Sequence, residues 1–128
     1  MADTKRTLSA LQALFADNTT KQISPQKLRD FLVSAYGSGY VTAVTGTPYS
    51  VGADDDVLLI NVASASTVNL PAAASNQHRL LYIKNLTINT VTVDGNASET
   101  IDGQLTQVIK DQYTCMLMAC DGSNWYIL

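Results

Sequence analysis

Apolar residues recur at helical spacing in the first 37 residues and at alternate or unbroken positions after them. In TLSALQALF, residues 7 to 15, Leu8, Leu11, Leu14 and Phe15 fall along one stripe, with Thr4 or Thr7 able to cap it. ADNTTKQ interrupts that pattern. In SPQKLRDFLVSAYG, residues 24 to 37, Leu28, Phe31, Leu32, Ala35 and Tyr36 repeat at i, i+3, i+4, i+7 and i+8. Ser24 suits the N-cap, Pro25 stands where its missing N–H costs nothing, and Gly37 suits the left-handed residue past the end. The pattern predicts a helical hairpin over residues 1–37. Two short helices bury too little surface to fold alone, so this hairpin needs a partner surface.

Residues 38–50, rich in Gly, Ser and Thr, read as a linker. From residue 51 onward the pattern predicts strands at Val57 to Val62, Thr67 to Leu70, Leu80 to Asn85, Thr90 to Val93, Thr106 to Lys110, Tyr113 to Ala119 and Trp125 to Leu128. ADDD, PAAASNQ, DGNASE, IDG, KDQ and DGSN punctuate them, and Asp-Gly at 94–95, 102–103 and 121–122 supplies the chemistry of tight turns. The expected fold class is α+β, a short N-terminal helical hairpin followed by an all-β antiparallel sandwich or barrel-like domain over 51–128. VLLINV and CMLMA are apolar on both faces rather than alternating, which implies cover on both sides, with another subunit as a candidate for one of them. The chain closes on Trp125, Tyr126, Ile127 and Leu128, an apolar run expected to tie into a core or an interface.

Composition sharpens that reading. Charged residues make up 15% of the 128 and apolar ones 46%, so little charge is available to dress a monomer, and an oligomer is favoured. The net charge of −3 divides into +2 over residues 1–30 and −5 over the rest, which suggests two ends with different partners. With no basic stripe, nucleic acid is not an expected partner. With neither a signal-like segment nor a run long enough to span a bilayer, a membrane is not expected either. Cys115 and Cys120, five apart on one strand, point to opposite faces and read as buried thiols that cannot easily bridge.

Candidate chemistry is sparse. His78 is the one histidine, and no paired Cys or His spacing for a metal and no nucleophile elbow is present. Asp54, Asp55 and Asp56 form a carboxylate cluster, but consecutive extended residues diverge, so the three read as a charged turn and not as a calcium site. Asp94, Glu99 and Asp102 alternate with turn residues and read as solvated, which leaves no constellation for catalysis. Neither an enzyme nor a cofactor is expected. Tyr40 and Tyr49 are loop aromatics suited to a sugar or receptor, the rival reading of the chain as a binding module.

ISPQKLRDFLVSAYG at 23 to 37, preceded by TLSALQALFADNTT, resembles the N-terminal module of small tailed-bacteriophage virion proteins known as head fibres, decoration proteins or tail-fibre components. VGADDDVLLINVASASTVNLPAAASNQHRLLYIKNLTINTVTVDGNASETIDG, followed by DGSNWYIL, is similar to the β-domain that ends many phage fibre and appendage proteins, with LPAAA, TVDGNASETIDG and DGSNWYIL as its markers. Lys27 departs from the acidic residue common at that place and removes a favourable charge from the helix's first turn.

The resemblance implies a homotrimeric, non-enzymatic appendage, assembled in the bacterial cytoplasm and carried on the virion. Its implied partners are other copies of the chain and virion proteins such as the major capsid, portal or tail proteins, with a host-surface glycan as a further candidate. A capsid decoration protein or short head fibre is preferred, because 128 residues leave no shaft; a tail-fibre or baseplate component that binds a receptor or carbohydrate is the alternative. Leu8, Leu11, Leu14, Phe15, Leu28, Phe31, Leu32 and Tyr36 are the expected attachment and bundle contacts. Trp125, Tyr126, Ile127 and Leu128 are expected to close the β-core between subunits.

Overall fold

The computed structural model describes residues 39–128 together with Lys27, Leu28 and Phe31, whose backbone is helical. The chain divides into two compact units, Met1–Gly39 and Tyr40–Leu128. In the second unit nine strands alternate with turns: β1 Val41–Val44, β2 Tyr49–Ser50, β3 Val57–Ile60, β4 Ser66–Asn69, β5 Leu80–Asn85, β6 Val91–Asp94, β7 Thr106–Ile109, β8 Cys115–Cys120 and β9 Trp125–Ile127. A single 3-10 turn at Ala73–Ser75 lies between β4 and β5.

The strands build a five-stranded sheet in the order β1-β3-β5-β8-β9 and a four-stranded sheet in the order β2-β4-β6-β7. From β1 to β6 the chain places successive strands in opposite sheets, so each coil stacks a parallel strand on the one before it. Val41 aligns with Val57 and Val57 with Tyr82 in one sheet, while Tyr49 aligns with Val68 and Val68 with Val93 in the other. The chain then reverses: β7 runs antiparallel to β6, β8 to β5, and β9 to β8.

The expected fold class is corrected here. Both sheets are mixed: four of the seven expected strands, β3 to β6, stack in parallel, and the other three, β7 to β9, close the stack in antiparallel pairs, instead of all forming an antiparallel sandwich of hairpins. The Asp-Gly turns misled because they mark only the later half: Asp94–Gly95 opens the β6–β7 connection, Asp102–Gly103 sits within it, and Asp121–Gly122 joins β8 to β9. Before β6 the chain crosses between sheets through Pro-, Ala- and Asp-containing segments, whose parallel pairing leaves no short-range turn signature. The segment read as a linker, 38–50, holds β1 and β2. The described residues contain no helical hairpin; that expectation falls on residues 1–37, outside the described residues except at Lys27, Leu28 and Phe31.

One core lies between the sheets. Alternate positions point inward, so Leu58, Ile60, Leu81, Ile83 and Met118 from the larger sheet meet Val68, Val91 and Val93 from the smaller, all without solvent exposure. Each such side chain contributes about 1.5–3 kcal/mol relative to leaving it in water. Trp125 and Ile101, both fully buried, belong to the same cluster and are joined by a parallel bridge.

Asp55, Ser66 and Asn85 are the buried polar residues among those described; Asn85 alone has no solvent exposure, and both ends of its amide are used. Its Nδ2 donates to the Asn89 carbonyl at 2.9 Å, and its Oδ1 accepts from the Thr87 N–H at 2.9 Å and the Thr87 hydroxyl at 3.1 Å. That satisfaction offsets the cost of burial and fixes the turn after β5.

Gly95 is required by space. A Cβ there would lie 2.3 Å from the Glu99 carbonyl oxygen, because the chain folds back to let Gly95 N–H bond to Leu105. Gly103, by contrast, has φ near +78° and open surroundings. Urea unfolding followed by Trp fluorescence is expected to show Gly95→Ala destabilising by about 2–4 kcal/mol, through displaced backbone. Gly103→Ala should cost only the left-handed backbone penalty of about 1–2 kcal/mol.

Candidate functional site

Two features of the β unit go beyond packing: a polar clamp around Asp55, and an apolar outer face on the five-stranded sheet.

The clamp forms where the first coil meets the second. Asp55 is only 6% exposed. Its Oδ1 accepts from the Thr42 hydroxyl, and its Oδ2 accepts from the Tyr49 hydroxyl at 2.7 Å and the Gly52 N–H at 2.8 Å. Arg79, in the segment leading to β5, donates to the carbonyls of Gly52 and Asp55 and to Asn76 Oδ1. Asp56 turns elsewhere and accepts from the Tyr40 N–H at 2.8 Å. Burial works against ionisation of Asp55, yet the bonds from Thr42, Gly52 and Tyr49 and the charge of Arg79 outweigh it and hold the carboxyl below its ordinary value. Burial, then the hydrogen bond to Asp55 and its charge, push Tyr49 up to about 12.

These groups bond to one another and cross-brace β1, the turn before β3 and the turn before β5. Tyr49 is therefore half-buried and engaged, unlike the free loop aromatic expected; Tyr40 keeps its side chain 50% exposed. Among the described residues no group of three His, Cys, Asp or Glu is placed to hold a metal ion. The Asp94, Glu99 and Asp102 carboxylates do not converge. Both Glu99 oxygens accept from the Ala73 N–H, at 2.9 and 3.0 Å, and Asp102 Oδ1 accepts from Ile127 N–H at 3.2 Å.

The second feature comes from strand alternation. Positions that do not point into the core of the five-stranded sheet form its outer face, and register arranges them in rows. One row runs Val41, Val57, Tyr82, Leu117 and on to Leu128, whose N–H bonds to Leu117. A second runs Ala43, Leu59, Lys84 and Cys115, and a third Leu80, Ala119 and Tyr126. Lys84 is the one charged side chain among these described positions, and its Nζ donates to the Tyr113 carbonyl at the end of the sheet.

The smaller sheet dresses its outer face in the ordinary way. Ser50, Asn69, Asp94 and Thr106 form one row and Thr67, Thr92 and Val108 another. One outer face is mainly polar and the other mainly apolar within a single unit.

The expected site residues distribute as follows. Trp125 is fully buried within its own chain, Ile127 packs partly against the same core, and Tyr126 and Leu128 are exposed on the outer face, Leu128 at 71%. The Tyr126 hydroxyl is tied to Asp121, which raises its pKa. Leu28 and Phe31 are exposed; Leu8, Leu11, Leu14, Phe15, Leu32 and Tyr36 lie outside the described residues. Cys115, expected to be buried, is exposed on the outer face, while Cys120 is buried and its thiol pushed up by that burial. The sequence reading did not single out Val41, Leu59, Leu80, Tyr82 or Leu117 as a surface. Its one signal was the unbroken apolarity of VLLI and CMLMA.

A shallow cleft of about 300 Å³ opens where the core reaches the edge, with Val108, Ile109, Met116 and Ile127 among its walls. Its walls come from the end of β7, the turn that follows, the start of β8 and Ile127 of β9.

The unit is a two-sheet stack of parallel coils closed by antiparallel strands, carrying one apolar outer face. No protein-family model matches the chain, and no curated protein matches it.

Two outcomes test the clamp. Spectrophotometric titration of the six tyrosines should show one phenol with a midpoint of about 12 that disappears in Tyr49→Phe and moves part of the way down in Asp55→Asn. Because the folded Asp55 pKa is depressed, its contribution is present above the unfolded value and lost as pH falls through the folded one. Thermal unfolding should therefore lose stability below about pH 4, by less in Asp55→Asn than in the wild type.

Proposed function

We propose that this chain is a structural, non-enzymatic appendage of a tailed-bacteriophage virion, built as a homotrimer, with a capsid decoration protein or short head fibre as the preferred assignment. The observation that carries the reading is the apolar outer face of the five-stranded sheet beside the polar face of its partner sheet. A protein that works as a free monomer would expose that face at a solubility cost, whereas one that works by assembly uses it.

The motifs support the same direction. LPAAA becomes the segment leading into the 3-10 turn, where Ala73 N–H meets Glu99 from TVDGNASETIDG. DGSNWYIL becomes the β8–β9 hairpin, in which Asp121 Oδ1 accepts from the N–H groups of Ser123 and Asn124 and Asn124 Oδ1 accepts from Thr100. The three markers that resemble phage appendage proteins thus join one another at one end of the fold. Residues 1–37 are the segment for attachment to the virion under this reading, with capsid, portal or tail proteins as partners.

Light scattering of the full chain is expected to give the mass of three copies across a wide concentration range. Labelled copies are expected on the capsid when purified virions are imaged by electron microscopy. Copies confined to the tail would replace the head assignment with the tail-fibre one, and a monomer at all concentrations would remove the reading altogether.

A further inference from the structure

We propose that Asp55 is an acid-sensitive latch: its protonation releases the first coil, residues 40–52, while the rest of the β unit stays folded.

The first coil is the part of the unit held least by packing. Its strands are the outermost members of the two sheets, with β1 beside β3 alone and β2 beside β4 alone. Along β1 Val44 is the one buried residue, neither Tyr49 nor Ser50 of β2 is buried, and Val51 adds the coil's second buried apolar side chain. Later coils supply more from fewer residues. Leu58 and Ile60 lie within the four residues of β3, and Val91 and Val93 within the four of β6, all without exposure. Buried apolar area is what resists local opening, so a coil poor in it opens first unless something else fastens it.

Asp55 supplies the fastening. Its carboxylate belongs to the turn after the coil, and three donors of the coil converge on it: the Thr42 hydroxyl from β1, the Tyr49 hydroxyl from β2 and the Gly52 N–H. One edge of each sheet thus hangs on one side chain. Hydrogen bonds to an ionised acceptor, here 6% exposed, are stronger than neutral ones, and that gain vanishes when a proton neutralises the carboxyl. Protonation also turns one of its oxygens into a donor, so the three incoming donors can no longer all be served without rearrangement. Arg79 donates to the carbonyls of Gly52 and Asp55, which keeps the turn itself with the following coil, and its charge favours the ionised form.

The neighbouring groups leave Asp55 as the sensor. Those that carry charge or titrate around it are Tyr49 from β2, Asp54 and Asp56 from the same turn, Arg79 from the segment before β5 and Cys120 from the end of β8. The phenol, the guanidinium and the thiol all keep their protons below neutrality. Asp55 receives donors from both β1 and β2, whereas Asp56 accepts from the Tyr40 N–H at the start of the coil. The folded value of Asp55 lies below the ordinary one, so the fastening is complete above the unfolded value and is lost as pH falls through the folded one. The coil begins where the first compact unit ends, and its release lengthens the covalent connection between the units by about 40 Å at full extension.

Hydrogen exchange of the full-length protein, read by mass spectrometry and corrected for intrinsic rates, measures the opening of each segment. Between about pH 7 and about pH 2.5 the protection of residues 41–51 should fall about tenfold, the loss of one charge-assisted hydrogen bond, while that of β5 and β6 changes by less than about twofold. In Asp55→Asn the coil should already be open to that extent at about pH 7 and should no longer respond to acid, and Asp56→Asn should keep the response. If Asp55→Asn does not fold, Tyr49→Phe decides the matter: it removes one donor and should lower protection of the coil alone by about threefold at about pH 7. Equal losses in the coil and in β5 overturn the latch. So do a coil whose protection ignores pH, an acid response that survives in Asp55→Asn, and a Tyr49→Phe coil protected as in the wild type.

Discussion

Every second residue of a β-strand belongs to one face, and in this chain that rule sets a conflict in the five-stranded sheet. β3 and β8 must supply Leu58, Ile60, Met116 and Met118 to the core, yet their intervening residues, Val57, Leu59, Leu117 and Ala119, are apolar too. A strand that seeks dry surroundings on both sides obtains only one of them from the β unit itself. The four-stranded sheet avoids the conflict with Thr67, Asn69, Thr92 and Asp94 on its outer side. The unit therefore has an inside and an outside set by its sheets, and the remaining features are ways of holding those two sheets in register.

Stacking parallel coils needs devices other than hairpin turns. Asp55 serves by gathering Thr42, Tyr49 and Gly52, while Arg79 closes over the same turn from the following coil. Arg79 follows Asp55 by 24 residues, close to the offset at which β5 stacks on β3, so the coil length itself brings the pair together. Once β6 is in place the chain changes device: Gly95 permits close return of the backbone, and Glu99 reaches across to the Ala73 N–H. Polar groups thus brace the turns at the margins of the core, and Asn85 is the one that enters it fully.

How much of this was legible follows from which signals are local. The seven expected strands stand within two residues of their observed positions, because alternation and turn residues are written into neighbouring positions. β1 and β2 were hidden in a Gly-, Ser- and Thr-rich segment, since VTAV is four residues long and YS only two, and both exist as strands by stacking on later coils. Parallel pairing was invisible for the same reason: partners separated by a whole coil leave no mark on either one. The Asp55 clamp could not be read from three consecutive acids, where the middle one differs from its neighbours only through Thr42 and Tyr49. The doubly apolar strands were legible, and they led to the incomplete surface though not to its outline.

A lone sheet face could be hidden by any apolar cover, so what distinguishes assembly from mere stickiness is order within the face. Aggregating surfaces carry apolar residues without regard to depth, and their edge strands invite further pairing. Here long residues stand on the middle strand, Tyr82 and Lys84, and at the β9 margin, Tyr126 and Leu128, while the opposite edge strand β1 offers only four residues. Among the described residues the charge of this unit lies away from the apolar face, Lys84 excepted, and its Nζ donates to the Tyr113 carbonyl.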